Sequence, residues 1–316
     1  MTLPDHNPTP LDELQFALAE ADAEDPPADL GTSVLGRALA ARRPGAPVHE
    51  AQVITPLEAF GRTTRALEAL LGDLDHDAWR RATIRGLTVQ GLVGHLIGVE
   101  HAFVAGVDDP DGAQRIADHV TSTDPVVRAQ EGRPPAETLE DWRRARDRSL
   151  AHVGALPADP DPMTRVATLH GLRMPLGDLL VARSFELWTH AEDVRRATGR
   201  APEDPDGATL RRMTDLAVVL LPLAMGRPGT PTARRSVRVV LTGPGGGAWQ
   251  LGGDTGARAG AADHAPAYDA RVVMDAVVFC RLIANRVDPD LVEASIRGSD
   301  EVARAVFRTA AALALD

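Results

Sequence analysis

Helical periodicity dominates the first two thirds of the chain and constrains its fold most strongly. The run Thr55 to Glu58 combines an N-cap residue, a proline at the first helical position and a glutamate three residues after the cap, which together predict a helix start. Further helical stripes begin near Leu87 and Ala136, and another runs from Pro175 to a glycine C-cap at Gly199. Four long helices joined by loops of variable length predict a helix bundle.

The periodicity changes in the C-terminal third. One apolar helix, at about 208–225, leads into the glycine- and proline-rich segment 226–229. A glycine run at 243–247 predicts a hairpin turn rather than a phosphate loop, because no helix start follows it. Alternating apolar residues and capping signals predict three strands and two helices, at 237–241, 248–251, 270–274, 275–285 and 299–313.

These patterns predict a mostly α protein with an α+β part. We expect an acidic extension with short helices at 1–50, a four-helix bundle at 51–200, a linker and connecting helix at 201–229, and a small α+β domain at 230–316. Eight acidic residues and no basic residue lie in 1–35, out of a net charge of -11, so the rest of the chain is nearly neutral. The extension is either a loosely packed tail or a flap or dimerisation arm.

The composition excludes several classes of function. All 34 basic residues are arginine, so Schiff-base enzymes and P-loop nucleotidases, which need a lysine, are excluded. Aromatic residues make up 3% of an acidic chain, which argues against nucleic acid as a partner. No signal peptide and no stretch of about 18 apolar residues is seen, so we expect a cytoplasmic protein without a membrane partner.

A single cysteine, Cys280, cannot form an internal disulfide, which fits a reducing compartment. Apolar helix residues surround it. A buried, inert thiol is therefore predicted in preference to a catalytic one.

Three residues on two predicted helices are candidate metal ligands. His95 lies within an apolar helix, where an imidazole needs a partner, and Glu186 and His190 are four residues apart on one helix face. Asp193 could orient the imidazole of His190. The spacing alone also fits a solvated salt bridge and a core histidine. The remaining histidines lie in polar, loop-like or solvent-facing contexts: His6, His49, His76, His101, His119, His152, His170 and His264.

Two segments resemble a known protein family. The runs Leu87 to Leu96 and Arg183 to Val194 are similar to those of the mycothiol-dependent maleylpyruvate isomerase family, which has a DinB-like four-helix bundle and a C-terminal sterol-carrier-like α+β domain. The resemblance covers roughly residues 51–316. It implies that this chain has the same two-part fold.

The resemblance also implies a site. It implies a zinc ion held by His95, Glu186 and His190, and an arginine, Arg286, that the C-terminal domain sends toward the metal. In the segment that ends at Arg286, isoleucine and asparagine replace the leucine and glycine usual in the family. Two histidines and one carboxylate leave a ligand position open, and they also suit iron or nickel.

The function that the resemblance implies is activation of a low-molecular-weight thiol such as mycothiol. The thiolate would serve to isomerise a small electrophile or be transferred to it, in a monomer or homodimer. Arg286 and Arg183 are predicted to hold carboxylates of the substrate or thiol, although Arg183 could instead form a helix-surface ion pair with Glu186 or Asp178. Two alternatives stay open: a zinc-dependent hydrolase with a metal-bound water, and a non-enzymatic metal-binding module that uses the acidic arm.

Overall fold

The structure is a computed structural model, and the predicted extension at 1–50 lies outside the residues that it describes. The protein is mostly helical with two small sheets, which confirms the predicted fold class. No helix among the described residues is both long and apolar enough to cross a membrane. The described residues are 52–113, 119–227, 230–252, 256–259 and 268–314.

The described residues between 56 and 198 form helices and one β-hairpin. Thr55 caps the first helix with the predicted capping box, and the Thr88 hydroxyl accepts a hydrogen bond from an N–H of the first turn of the second. The last helix ends at Gly199, where φ is 68°. The elements are α1 (Pro56–Gly72), α2 (Val89–Asp108), α3 (Pro110–Ala113), α4 (His119–Gln130), α5 (Pro135–Gly154), β1 (Val166–Leu169), β2 (Leu172–Pro175) and α6 (Leu176–Thr198).

The short helix α3, helix α4 and the β1–β2 hairpin were not predicted from the sequence. Helix α4 contains an internal proline, Pro125, and a largely polar sequence, so it carries no clear apolar stripe. Strands β1 and β2 have four residues each, which is too short for an alternation to be recognised. Helix α4 and the hairpin both lie next to the predicted bundle helices.

The C-terminal half contains a five-stranded sheet in the order β5-β4-β3-β6-β7. The central pair β3 and β6 is parallel, and the other neighbours are antiparallel, so the glycine run between β3 and β4 is the predicted hairpin turn. The edge strands β5 and β7, of four residues each, were not predicted. The elements are α7 (Gly207–Met225), β3 (Ser236–Thr242), β4 (Gly247–Gly252), β5 (Gly256–Ala259), β6 (Ala270–Asp275), α8 (Ala276–Ile283), β7 (Ser295–Gly298) and α9 (Asp300–Ala311).

Helix α6 contributes to two hydrophobic cores. Its residues Leu180 and Leu187 pack in the bundle core with Phe60 of α1. Val181 and Trp188 instead pack into the core formed by α7, the five-stranded sheet, α8 and α9. Polar side chains placed on α6 are therefore held by packing on both sides of the helix.

Cys280 lies in the second of these cores. Its side chain is buried, as predicted, and burial raises the pKa of the thiol. A thiol with a raised pKa is a poor nucleophile at neutral pH.

Helices α2 and α4 approach closely at a glycine. A Cβ atom added at Gly98 would lie 2.9 Å from Cβ and Cγ2 of Thr123, whereas one added at Gly72, at the end of α1, would meet no atom within 4 Å. We expect Gly98→Ala to lower the free energy of unfolding by about 1–2 kcal/mol because α4 must shift. Gly72→Ala is expected to raise it by about 0.5–1 kcal/mol through the loss of unfolded-state entropy. Urea denaturation measures both, and equal effects would contradict the close approach.

Candidate metal centre

The three predicted ligands converge where α2 and α6 face each other. Each of His95, Glu186 and His190 offers one ligand atom, and these three atoms lie within 4.8 Å of one another. His95 Nε2 is 3.6 Å from Glu186 Oε1, and the two imidazole rings are nearly perpendicular with centroids 5.7 Å apart. One cation between them could contact all three side chains.

Hydrogen bonds from the outside orient both imidazoles. His190 Nδ1 lies 3.1 Å from Asp193 Oδ2, and His95 Nδ1 lies 2.8 Å from the Thr123 hydroxyl. An ionised carboxylate only accepts, so Nδ1 of His190 is the donor in this hydrogen bond and Nε2 is the nitrogen left to face a metal. Asp193 lies within hydrogen-bonding distance of the His190 imidazole, whereas Thr123 was missed because α4 was not predicted.

A buried ion-pair network fixes the carboxylate ligand. The side chain of Arg183 is fully buried; its Nη2 donates to Glu100 Oε1 at 2.6 Å, and its Nη1 donates to Glu186 Oε2. The other oxygen, Glu186 Oε1, has no hydrogen-bond partner among the described residues. This oxygen lies 3.6 Å from His95 Nε2, and a cation between the two atoms would contact both and satisfy the oxygen. The three side chains therefore fit a divalent metal.

The network also keeps Glu186 ionised. Burial favours the neutral carboxyl, but the neighbouring Arg183 guanidinium and His95 outweigh it and hold the pKa of Glu186 well below its ordinary value. The two carboxylates around Arg183 leave one net negative charge at the site, which favours binding of a cation.

Arg183 therefore has different surroundings from those predicted. Glu186 is one of its predicted partners, but the pair is buried and not on the helix surface, and Asp178 takes no part in it. The buried partner Glu100 was not predicted. Its sequence signal is an acidic residue on an otherwise apolar helix, a position that requires a counter-charge.

Arg286 reaches the site through Asp193. Its Nε and Nη2 atoms each donate to one oxygen of Asp193 at 3.0 Å. The preceding residue, Asn285, has φ 53° and ends α8 in a left-handed conformation that asparagine tolerates, as glycine does. Arg286 is not among the residues that line the cavity next to the candidate metal ligands.

That cavity has a volume of about 390 Å³ and is bordered by Glu186 and His190. Its walls come from the β1–β2 hairpin, α6, α7 and the end of α8, and they are mainly apolar. Arg173 and Arg227 also line it. A cavity of this size and polarity suits a small molecule or part of a larger one.

His170 is a cavity residue that the sequence analysis set aside. It lies with Gly171 in the turn of the β1–β2 hairpin, where φ is 50° and 80° for the two residues. Such a two-residue turn matches the twist of the strands that it joins. The histidine could not be found from periodicity because the hairpin itself was not predicted.

Comparison with known proteins identified one family and two similar structures. Residues 60–195 match the mycothiol maleylpyruvate isomerase N-terminal domain, which confirms the family resemblance over these residues. Two crystal structures of the mycothiol-dependent maleylpyruvate isomerase, one of a mutant, each share 15% identity with a TM-score of 0.49 and cover 76% of this chain and 91% of that chain. No curated protein sequence matches the chain.

Replacement of Arg183 tests the buried network. Arg183→Met leaves Glu100 and Glu186 without their shared counter-charge, and we expect a loss of about 3–5 kcal/mol in the free energy of unfolding. Arg128→Ala removes the exposed ion pair with Asp124 and should change it by less than about 0.5 kcal/mol. Chemical denaturation of the metal-free proteins measures both. Equally small changes in the free energy of unfolding for the two variants would contradict the buried pairing of Arg183.

Proposed function

Because residues 60–195 belong to the mycothiol maleylpyruvate isomerase N-terminal domain family, we propose that the chain is a metal-dependent enzyme that uses a low-molecular-weight thiol. The thiol is mycothiol or a close relative, and the reaction is isomerisation of, or sulfur transfer to, a small electrophilic substrate. The observation that carries the proposal is the convergence of His95, Glu186 and His190 at the wall of a small-molecule cavity.

The proposed metal is zinc, held by these three side chains, and iron or nickel would suit the same ligands. When bound, such an ion lowers the pKa of a thiol in its open ligand position. The chain prepares the ligands in advance: Asp193 holds the proton of His190 on Nδ1, and Arg183 occupies Glu186 Oε2 so that Oε1 is left for the metal.

The sulfur in this proposal comes from the cosubstrate. Cys280 is buried among apolar side chains, its pKa is raised, and it does not line the cavity. A thiolate brought in by a small molecule is therefore the nucleophile that the site can use.

The residues that line the cavity limit the polarity and charge of the substrate. The apolar side chains of Leu172, Phe185 and Leu220 line the space beside Glu186 and His190, and less polar surroundings strengthen electrostatic interactions there. We propose that anionic groups of the substrate or thiol meet Arg227 and Arg173, of which Arg173 also forms an exposed ion pair with Asp111. Arg183 lines the space as well, but it and Arg286 are engaged by buried carboxylates of the chain.

Cobalt-substituted protein tests the proposal. Titration with mycothiol should produce a thiolate-to-cobalt charge-transfer band in the wild type. His190→Ala removes a ligand and should abolish the band, whereas His76→Ala changes an exposed histidine remote from the three ligands in sequence and should leave it unchanged. A protein that binds cobalt but shows no such band with any thiol would contradict the proposal and favour a hydrolase or a non-enzymatic metal-binding module.

A further inference from the structure

We propose that Arg286 is a positioning residue that acts through Asp193 on His190, so that the C-terminal α+β region holds a metal ligand in place on helix α6. The inference rests on the proposed metal centre. It differs from direct recognition of a substrate carboxylate by Arg286.

Arg286, Asp193 and His190 are joined by a continuous chain of hydrogen bonds. Arg286 places both nitrogens of its planar fork on Asp193, at 3.0 Å to each oxygen, and the same Oδ2 lies 3.1 Å from His190 Nδ1. The Asp193 side chain is completely buried, and that of Arg286 is 9% exposed. A bidentate contact fixes the plane of the carboxylate, and that plane determines where the imidazole points.

Arg286 is also the buried counter-charge of Asp193. The other arginine near this carboxylate, Arg196, lies 3.6 Å away with 61% of its side chain exposed, so water screens it. Burial favours the neutral form of Asp193, but His190 and Arg286 outweigh it and hold the pKa of its carboxyl below the ordinary value. Without Arg286, the carboxylate would be free to rotate or to take up water.

The local backbone holds Arg286 in this position. The N–H of Arg286 donates to the carbonyl of Arg281 at 2.8 Å across the left-handed Asn285, which closes the end of α8. Its third guanidinium nitrogen, Nη1, donates to the carbonyl of Ala284 at 3.0 Å. Because all three of its nitrogens make these contacts, the guanidinium is held against Asp193 and the end of α8.

The chain offers a control in the same region. Arg281 of α8 pairs with Glu192, the neighbour of Asp193 on α6, through Nε at 3.0 Å and Nη2 at 2.5 Å to Oε1, and its Nη2 also donates to Asp204 at 3.0 Å. Among the described residues, no hydrogen bond joins Glu192 to a candidate metal ligand. Loss of Arg281 therefore weakens the attachment of α8 to α6 without releasing His190.

The experiment measures the zinc dissociation constant by competition with a chromophoric chelator, together with the Tm, for the full-length protein. Arg286→Met and Arg281→Met should both lower the Tm. We expect Arg286→Met to weaken zinc binding by about 10-fold or more, and Arg281→Met to leave it within about twofold. Arg286→Lys, which keeps the charge but not the fork, should fold readily and fall between Arg286→Met and the wild type.

A double-mutant comparison identifies the route. If Arg286 acts through Asp193, the pair Asp193→Asn and Arg286→Met together should bind zinc no more weakly than Asp193→Asn alone. Additive losses would overturn the inference, as would equal zinc affinities of Arg286→Met and Arg281→Met. If Arg286→Met does not fold, the inference is overturned when Arg286→Lys binds zinc as tightly as the wild type. Absence of zinc binding by the wild type would instead reject the proposed metal centre itself, and the inference with it.

Discussion

The buried ion pairs of Arg183 are the interaction on which the candidate site depends. Arg183 of α6 joins Glu100 of α2 to Glu186 of α6, so it ties together the two helices that supply the ligands. A buried ion pair adds little net stability, because desolvation of the charges offsets their attraction. Its effect here is geometric: the pairing fixes one oxygen of Glu186 and leaves the other beside His95.

Most of the candidate site residues lie on helix α6, which packs against both hydrophobic cores. Arg183, Glu186, His190 and Asp193 follow one another at spacings of three, four and three, which places them along one side of the helix. The bundle orients this row through Glu100, which pairs with Arg183, and the C-terminal region reaches it through Arg286. In a chain without lysine, every one of these fixed positive charges is a guanidinium, which suits bidentate contacts with carboxylates.

The sequence predicts the parts of this arrangement that are local. Capping signals such as Thr55 give the starts of the helices, and the i, i+4 spacing places Glu186 and His190 on one face. The sequence does not predict the contacts that depend on tertiary structure. Asp193 and Arg286 are 93 residues apart, so their pairing leaves no periodic pattern in the chain.

Helix α4 and the β1–β2 hairpin were not predicted for a similar reason. Helix α4 provides Thr123 for His95, but its polar sequence and internal proline conceal it. The β1–β2 hairpin brings His170 to the cavity through two strands too short to show alternation. In both cases, packing against the bundle stabilises a segment whose own sequence preference is weak.

X-ray absorption at the zinc edge, recorded on zinc-loaded protein before and after addition of mycothiol, tests thiol binding at the metal directly. We expect a coordination shell of nitrogen and oxygen at about 2.0–2.1 Å without the thiol, and one added sulfur at about 2.3 Å with it. A shell that gains no sulfur at saturating thiol, in protein that retains its zinc, would show that the thiol does not bind the metal.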